Sequence, residues 1–190
     1  MSGRRCMMQT DASVLCLNGR ERERWLETRW YVLYTRSRHE KAAQRELGKK
    51  GVETFLPVRR IMRNWSDRKK LIEEPLFKGY LFVQTPLIRR FDILNTFGIV
   101  NFVERRPHEP AQVPEAELFA IRRFMEADMV IDPFPYLKEG QRVYIRSGPF
   151  KGVEGFIVRK DTHCRLVISL DMLMQSVSVQ LDQACVELAA

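Results

Sequence analysis

Residues 142–159, RVYIRSGPFKGVEGFIVR, hold two β-rich runs separated by a loop that carries Gly148, Gly152 and Gly155. Glycine accepts positive φ and lets backbone approach closely, so this spacing suits a tight connection leading into a sharply bent strand of a small barrel. Short strands are predicted at 143–146, 155–159, 165–170, 176–181 and 185–188, with turn signals between them, as in an all-β, SH3-like barrel. Spacing alone assigns such a barrel no ligand.

Upstream of it, Asp132-Pro133-Phe134-Pro135 reads as a boundary, because two prolines stop helix propagation and stiffen a linker. Before the boundary the predicted order is strand, helix, strand, hairpin, strand, helix, strand, helix. The run 30–35, WYVLYT, is aromatic and β-branched and reads as a buried strand. Ser37 and Glu40 fit a capping box for a helix over 38–50, with Ala42, Ala43, Glu46 and Leu47 as its inner stripe and Gly51 as its left-handed terminus. A strand follows at 52–58, then a basic hairpin over 59–74 with its polar tip at 64–67. In the strand 79–84, alternation sets Tyr80 and Phe82 on one face and Leu81 and Val83 on the other. Pro86 opens a helix with Ile88, Phe91, Leu94 and Asn95 on one face, closed by Gly98 before a strand at 99–103. A Pro-rich connector at 105–114 leads to a helix over 115–127, apolar at Leu118, Ile121 and Met125. That order suits an α+β domain, an antiparallel sheet covered by helices. The expected division is an extension at 1–29, poorly ordered or a short solvated helix, an α+β domain at 30–128, a linker at 129–138 and the barrel at 139–190.

The 190 residues are 45% hydrophobic and 29% charged, an ordinary globular composition. Lys and Arg number 32 against 24 Asp and Glu, and the surplus falls mostly before Pro135, which points to a polyanionic partner for the first domain. Cys6, Cys16, Cys164 and Cys185 show no Cys-x-x-Cys spacing, and His39, His108 and His163 complete no zinc pattern, so free thiols in a reducing cytoplasm are expected, with no metal and no cofactor. No apolar run reaches the roughly 20 residues of a membrane helix, and no membrane partner is expected. Scattered His, Cys and carboxylates without a Ser-His-Asp, metal or phosphate-loop arrangement give no catalytic residues, and an enzyme is not expected.

Three segments carry a resemblance. Residues 140–150 continuing through 155–158 are similar to the KOW motif that ends NusG-family transcription elongation factors. Trp30-Tyr31-Val32-Leu33-Tyr34 and the stretch 74–83, EPLFKGYLFV, resemble the two signature strands of that family's N-terminal domain. All three occur in the family's order. Trp30 to Arg36 and Glu74 to Val83 look closer to the specialised RfaH-like and capsule-locus (UpxY-type) antiterminators than to the housekeeping factor. Lys78 stands where the family usually has proline.

The resemblance implies a monomer whose N-terminal domain docks on the clamp helices of RNA polymerase beside the non-template DNA and suppresses pausing or termination. It implies that the barrel contacts a further factor, a ribosomal protein or Rho. Phe77, Tyr80 and Phe82 match the family's polymerase-binding strand, with Tyr80 and Phe82 favoured as an exposed contact face; ordinary core is the plain alternative. Arg36 takes the position of a basic residue facing non-template DNA, with Arg38 and Lys41 nearby. Arg63, Trp65, Arg68, Lys69 and Lys70 on the hairpin suit phosphates and bases, although a charge run is often only a solvated face. In the barrel, Phe150, Leu173 and Met174 are the partner-binding candidates, the last two at the family's apolar loop, where they equally suit a plug for one end of the barrel. The β-branched Val167, Ile168, Val177 and Val179 favour strand there, so no refolding into helices is expected. The competing readings are a housekeeping elongation factor and, from another class, a ribosome- or RNA-binding KOW protein.

Overall fold

A computed structural model describes residues 23, 25–64, 68–126, 131–134, 141–145, 150–160, 163–181 and 187–188. The first part is built on a four-stranded sheet. Its strands are β1 (Arg29–Thr35), β2 (Glu53–Phe55), β5 (Tyr80–Thr85) and β6 (Ile99–Phe102), in the order β2-β5-β1-β6. β3 (Val58–Asn64) and β4 (Lys69–Pro75) form a separate two-stranded arm, the expected hairpin. β7 (Glu104–Arg106) and β8 (Glu109–Pro110) make a short ribbon inside the Pro-rich connector.

Because successive side chains of a strand point to opposite faces, β1 and β5 split their residues between two cores. Tyr31, Leu33, Leu81 and Val83 face α1 (Glu40–Lys49) and α2 (Arg90–Leu94), burying against Ala43, Leu47 and Ile93. Trp30, Val32 and Phe82 face the other way, toward Leu118, Ile121 and Phe124 of α3 (Glu115–Glu126). Each large side chain so buried contributes on the order of 1.5–3 kcal/mol. Trp25, from the segment expected to be an extension, packs at the margin of the α1 core.

Several local expectations are corrected. The capping box does not form: His39 is the N-cap residue of α1 and no side chain caps it. Glu40 instead accepts a hydrogen bond from the Gly79 backbone N–H at 2.8 Å, so its carboxylate ties helix to sheet. The helix predicted after Pro86 begins as a tight 3-10 turn at Leu87–Arg89, which shifts the phase of the α-turns after it. Leu87 and Ile93 are therefore the buried positions, and Phe91 is exposed. In α3, Phe124 is fully buried beside Leu118 and Ile121, a wider apolar stripe than expected, because this helix is covered on two sides.

The second sheet contains β9 (Ile131–Phe134), β10 (Gln141–Tyr144), β11 (Glu154–Lys160), β12 (His163–Leu170), β13 (Gln175–Leu181) and β14 (Glu187–Leu188), in the order β14-β10-β11-β12-β13-β9. All of its pairings are antiparallel. Its strands lie close to those expected, with one addition. Residues 131–134, which read as linker, pair with β13, Pro133 opposite Val177. Proline is tolerated because β9 is the outermost strand and leaves one side unpaired. Gly155 does permit a close approach: a Cβ there would lie 2.8 Å from the Val167 carbonyl oxygen.

The two sheets share one core. Phe124 of α3 meets Phe150, between β10 and β11, edge to face at 5.0 Å. Around that pair Phe77, Phe82, Ile121, Ile131, Val143, Ile145, Leu166 and Ile168 form one continuous buried cluster. α3 is thus the layer between the sheets.

Candidate functional site

Where β1 ends, its last residues meet the entry to β5 and the base of the hairpin arm. Thr35 N–H donates to Gly79 O at 2.8 Å, and Arg36 N–H donates to Gly98 O at 2.8 Å, which fixes the turn carrying Arg36 and Arg38. Gly79 has φ +81°, a backbone state costly for any other L-residue, and the Tyr34 ring lies over its Cα. The outcome is a cleft of about 750 Å³ lined by Tyr34, Arg38, Lys41, Arg63, Glu74 and Lys78, among others. On its wall Tyr34 stacks obliquely on Tyr80 with ring centroids 5.7 Å apart. Tyr34 is 48% exposed, and no sequence signal separated it from the buried aromatics of the same strand.

The charges around the cleft are ordered by two carboxylates. Glu74 receives Lys78 at 2.7 Å, Arg59 at 3.3 Å and Arg63 at 3.4 Å. Glu73 receives Lys41 at 3.0 Å. Hydrogen bonding to Lys78, and then to Arg59, holds the Glu74 carboxyl below its ordinary range; the Lys41 hydrogen bond does the same for Glu73. Lys78 therefore has a defined local role as the shortest ion pair on Glu74.

The site candidates separate into groups. Arg36 and Arg38 are exposed and make no ion pair among the described residues; Arg38 sits at φ +62°. Lys69 and Lys70 are likewise exposed and unpaired at the outer end of β4, and Arg68 precedes them. Lys41 and Arg63 are engaged by Glu73 and Glu74. Trp65 lies outside the described residues.

The aromatic face expected to be open is largely closed. Phe77 is 2% exposed and Phe82 0%, with Phe82 packed against both Phe55 and Phe77. α3 covers this side of the sheet, and Arg122 lies over the rings of Trp30 and Phe55 at 5.0 Å each. Only Tyr80 of the three stays half-buried and reachable beside Tyr34. In the second sheet Phe150 is 1% exposed, held by Phe124, and so is not a free surface anchor. Leu173 is buried, in line with the plug reading, whereas Met174 is 65% exposed at φ +51°. No group of His, Cys, Asp and Glu among the described residues is placed to hold a metal ion. No described helix is long and apolar enough to cross a membrane. Chemically, the cleft is fit to bind: the Arg38 guanidinium, without an ion pair among the described residues, beside a tilted tyrosine pair suits anions and flat or apolar surfaces.

Residues 28–122, half of the chain, match the family described as "Transcription termination factor nusG". The transcription termination/antitermination protein NusG of Borreliella burgdorferi is 23% identical over 173 residues, covering 80% of this chain and 94% of the relative. The protein of the same name from Streptococcus pyogenes serotype M3 is 28% identical over 143 residues, covering 68% and 79%. Among solved structures, one on domain interaction in Thermotoga maritima NusG superposes with a TM-score of 0.54 at 21% identity, covering 87% of this chain and 99% of that one.

Proposed function

The chain belongs to the NusG family, and from that premise we propose that it is a specialised antitermination factor, bound to RNA polymerase at one or a few operons, such as polysaccharide loci, where it suppresses pausing or termination. A NusG-like role in transcription termination and antitermination follows from the family match and the relatives. The observation that carries this reading is the juxtaposition at the cleft: the exposed Tyr34, packed on the half-buried Tyr80, lies beside the turn that presents Arg36 and Arg38. An aromatic anchor flanked by free arginines suits a protein helix surface on one side and a nucleic-acid backbone on the other.

In this reading Tyr80 contacts the polymerase clamp helices together with Tyr34, and Phe77 and Phe82 support the pair from beneath. Arg36 and Arg38 lie along the non-template DNA, with Lys41 at the edge of the same path. The second sheet is read as the family's KOW barrel, with Met174 as its accessible contact for a ribosomal protein or Rho. The factor works by differential binding, stabilising the elongating state of the polymerase without turning over a substrate.

The test is polymerase pull-down with purified full-length variants. Y34A/Y80A is expected to weaken association about tenfold or more, as loss of a paired aromatic anchor does, with circular dichroism of the strands unchanged. Association equal to wild type would remove these tyrosines from the interface. Genome-wide occupancy then decides between roles: signal confined to a few operons supports the specialised factor, and signal across most genes replaces it with a housekeeping one.

A further inference from the structure

The arm made by β3 and β4 pairs with neither sheet, and its register assigns each residue to one of two faces. One face carries the cross-strand pairs Arg59–Glu74, Ile61–Ile72 and Arg63–Lys70 and lines the cleft beside Tyr34 with Arg63, Ile72 and Glu74; at the base of the arm Glu73 reaches the same cleft, paired with Lys41. The opposite face carries Arg60–Glu73, Met62–Leu71 and Asn64–Lys69. On it Met62 is 61% exposed and Leu71 56%. Single apolar residues on a surface are ordinary, but here two large ones share one rung of an arm otherwise composed largely of charges.

The charge around that rung selects its partner. Both described carboxylates of the arm, Glu73 and Glu74, are at its base and are taken up by Lys41, Arg59, Arg63 and Lys78. Beyond them the arm is cationic, and Lys69 and Lys70 have no ion pair among the described residues. Lys69 follows the Met62–Leu71 rung on the same face and Lys70 lies opposite Arg63 on the other, so the outer end of the arm has a cation on each side of its apolar rung, complementary to a polymer with phosphates outside and apolar base edges within. A two-stranded β-ribbon has the width to enter the major groove of duplex DNA, where thymine methyl groups and base edges offer apolar contact. An apolar protein surface would leave the lysines unmatched.

We propose that the arm reads duplex DNA: Met62 and Leu71 contact base edges in the groove, and Lys69 and Lys70 hold the flanking phosphates. This rests on the nucleic-acid reading above and extends it to two residues that carry no charge. The two kinds of contact respond differently to salt, because only phosphate contacts release counterions.

The experiment is fluorescence anisotropy of full-length protein with a labelled duplex of about 20 base pairs and with its separated strand, from about 50 to 200 mM salt. M62S/L71S should bind the duplex about five- to tenfold more weakly at every salt concentration with an unchanged salt slope. K69Q/K70Q should flatten the slope by about two, one for each lysine. Both substituted pairs are exposed, and unchanged circular dichroism verifies the fold. Duplex binding by M62S/L71S equal to wild type overturns the proposal. An equal loss on duplex and single strand overturns the groove assignment, and a loss confined to polymerase association assigns the rung to a protein instead. If wild type shows no salt-dependent binding to either probe, the underlying nucleic-acid reading falls with it.

Discussion

Glu117 lies in the first turn of α3, on the side that meets the second sheet, and lines a cavity of about 570 Å³ with Arg142, Glu154, Gly155 and Ile168. Its Oε2 is buried without a hydrogen-bond partner. Burial, and then the nearby Asp171 carboxylate, push its pKa from 4.5 up to about 7. A carboxyl whose folded pKa is raised contributes stability fully present below 4.5 and lost as pH rises through about 7. E117Q, neutral at every pH, should match wild type in denaturant unfolding near the acid end and exceed it at about pH 8 by about 1 kcal/mol, less than the full shift implies because part of the side chain still meets solvent. Equal stability of the two proteins at both pH values would show that the carboxylate is well solvated. At Gly155 the constraint is steric, since a methyl group would meet the Val167 carbonyl, and G155A should cost about 1–3 kcal/mol in the same measurement. That glycine was readable in the sequence because the missing Cβ is written there. Glu117 was not, because its cost comes from residues that fold over it from more than 20 positions away.

Among the elements, the hairpin arm pairs with neither sheet and is held at its base largely by ion pairs, with Glu73 tied to Lys41 and Glu74 at the centre of a cluster. Glu74 gathers Arg59, Arg63 and Lys78 at its base, and Arg59 reaches on to Asp132 of β9 at 3.4 Å. A two-stranded ribbon is marginal alone, so this cluster sets how long the arm stays closed. E74Q should speed hydrogen exchange of the β3 and β4 amides about tenfold while leaving β1 and β5 amides at wild-type rates; equal protection in the arm would place its stability elsewhere. Periodicity located the arm, β1, β5 and α3 to within a few residues. It misplaced the inward face of α2, because a 3-10 turn advances the chain by a different angle than an α-turn. It also missed β9, since two prolines in four residues look like a linker unless a neighbouring strand is known to accept them at an edge.

For the molecule as a whole, the joint between the sheets is Phe124 against Phe150, and a double-mutant cycle measures it. F124A and F150A should each destabilise by about 3–5 kcal/mol, with a coupling of about 1 kcal/mol between them in urea unfolding. Strict additivity would mean that the two sheets are energetically independent. The two halves and their family resemblance could be read from residues, because Trp30, Gly79 and Gly155 keep a recognisable order. Their docking could not, because an apolar stripe on α3 says that something covers it and not what. β9 adds a mechanical consequence. Only residues 127–130 separate the end of α3 from a strand already stitched into the second sheet. Five Cα-to-Cα steps extend at most about 18 Å. If the sheets part, the second remains on that leash unless β9 peels from β13, so cargo held by one sheet stays within about a molecular diameter of whatever the other grips.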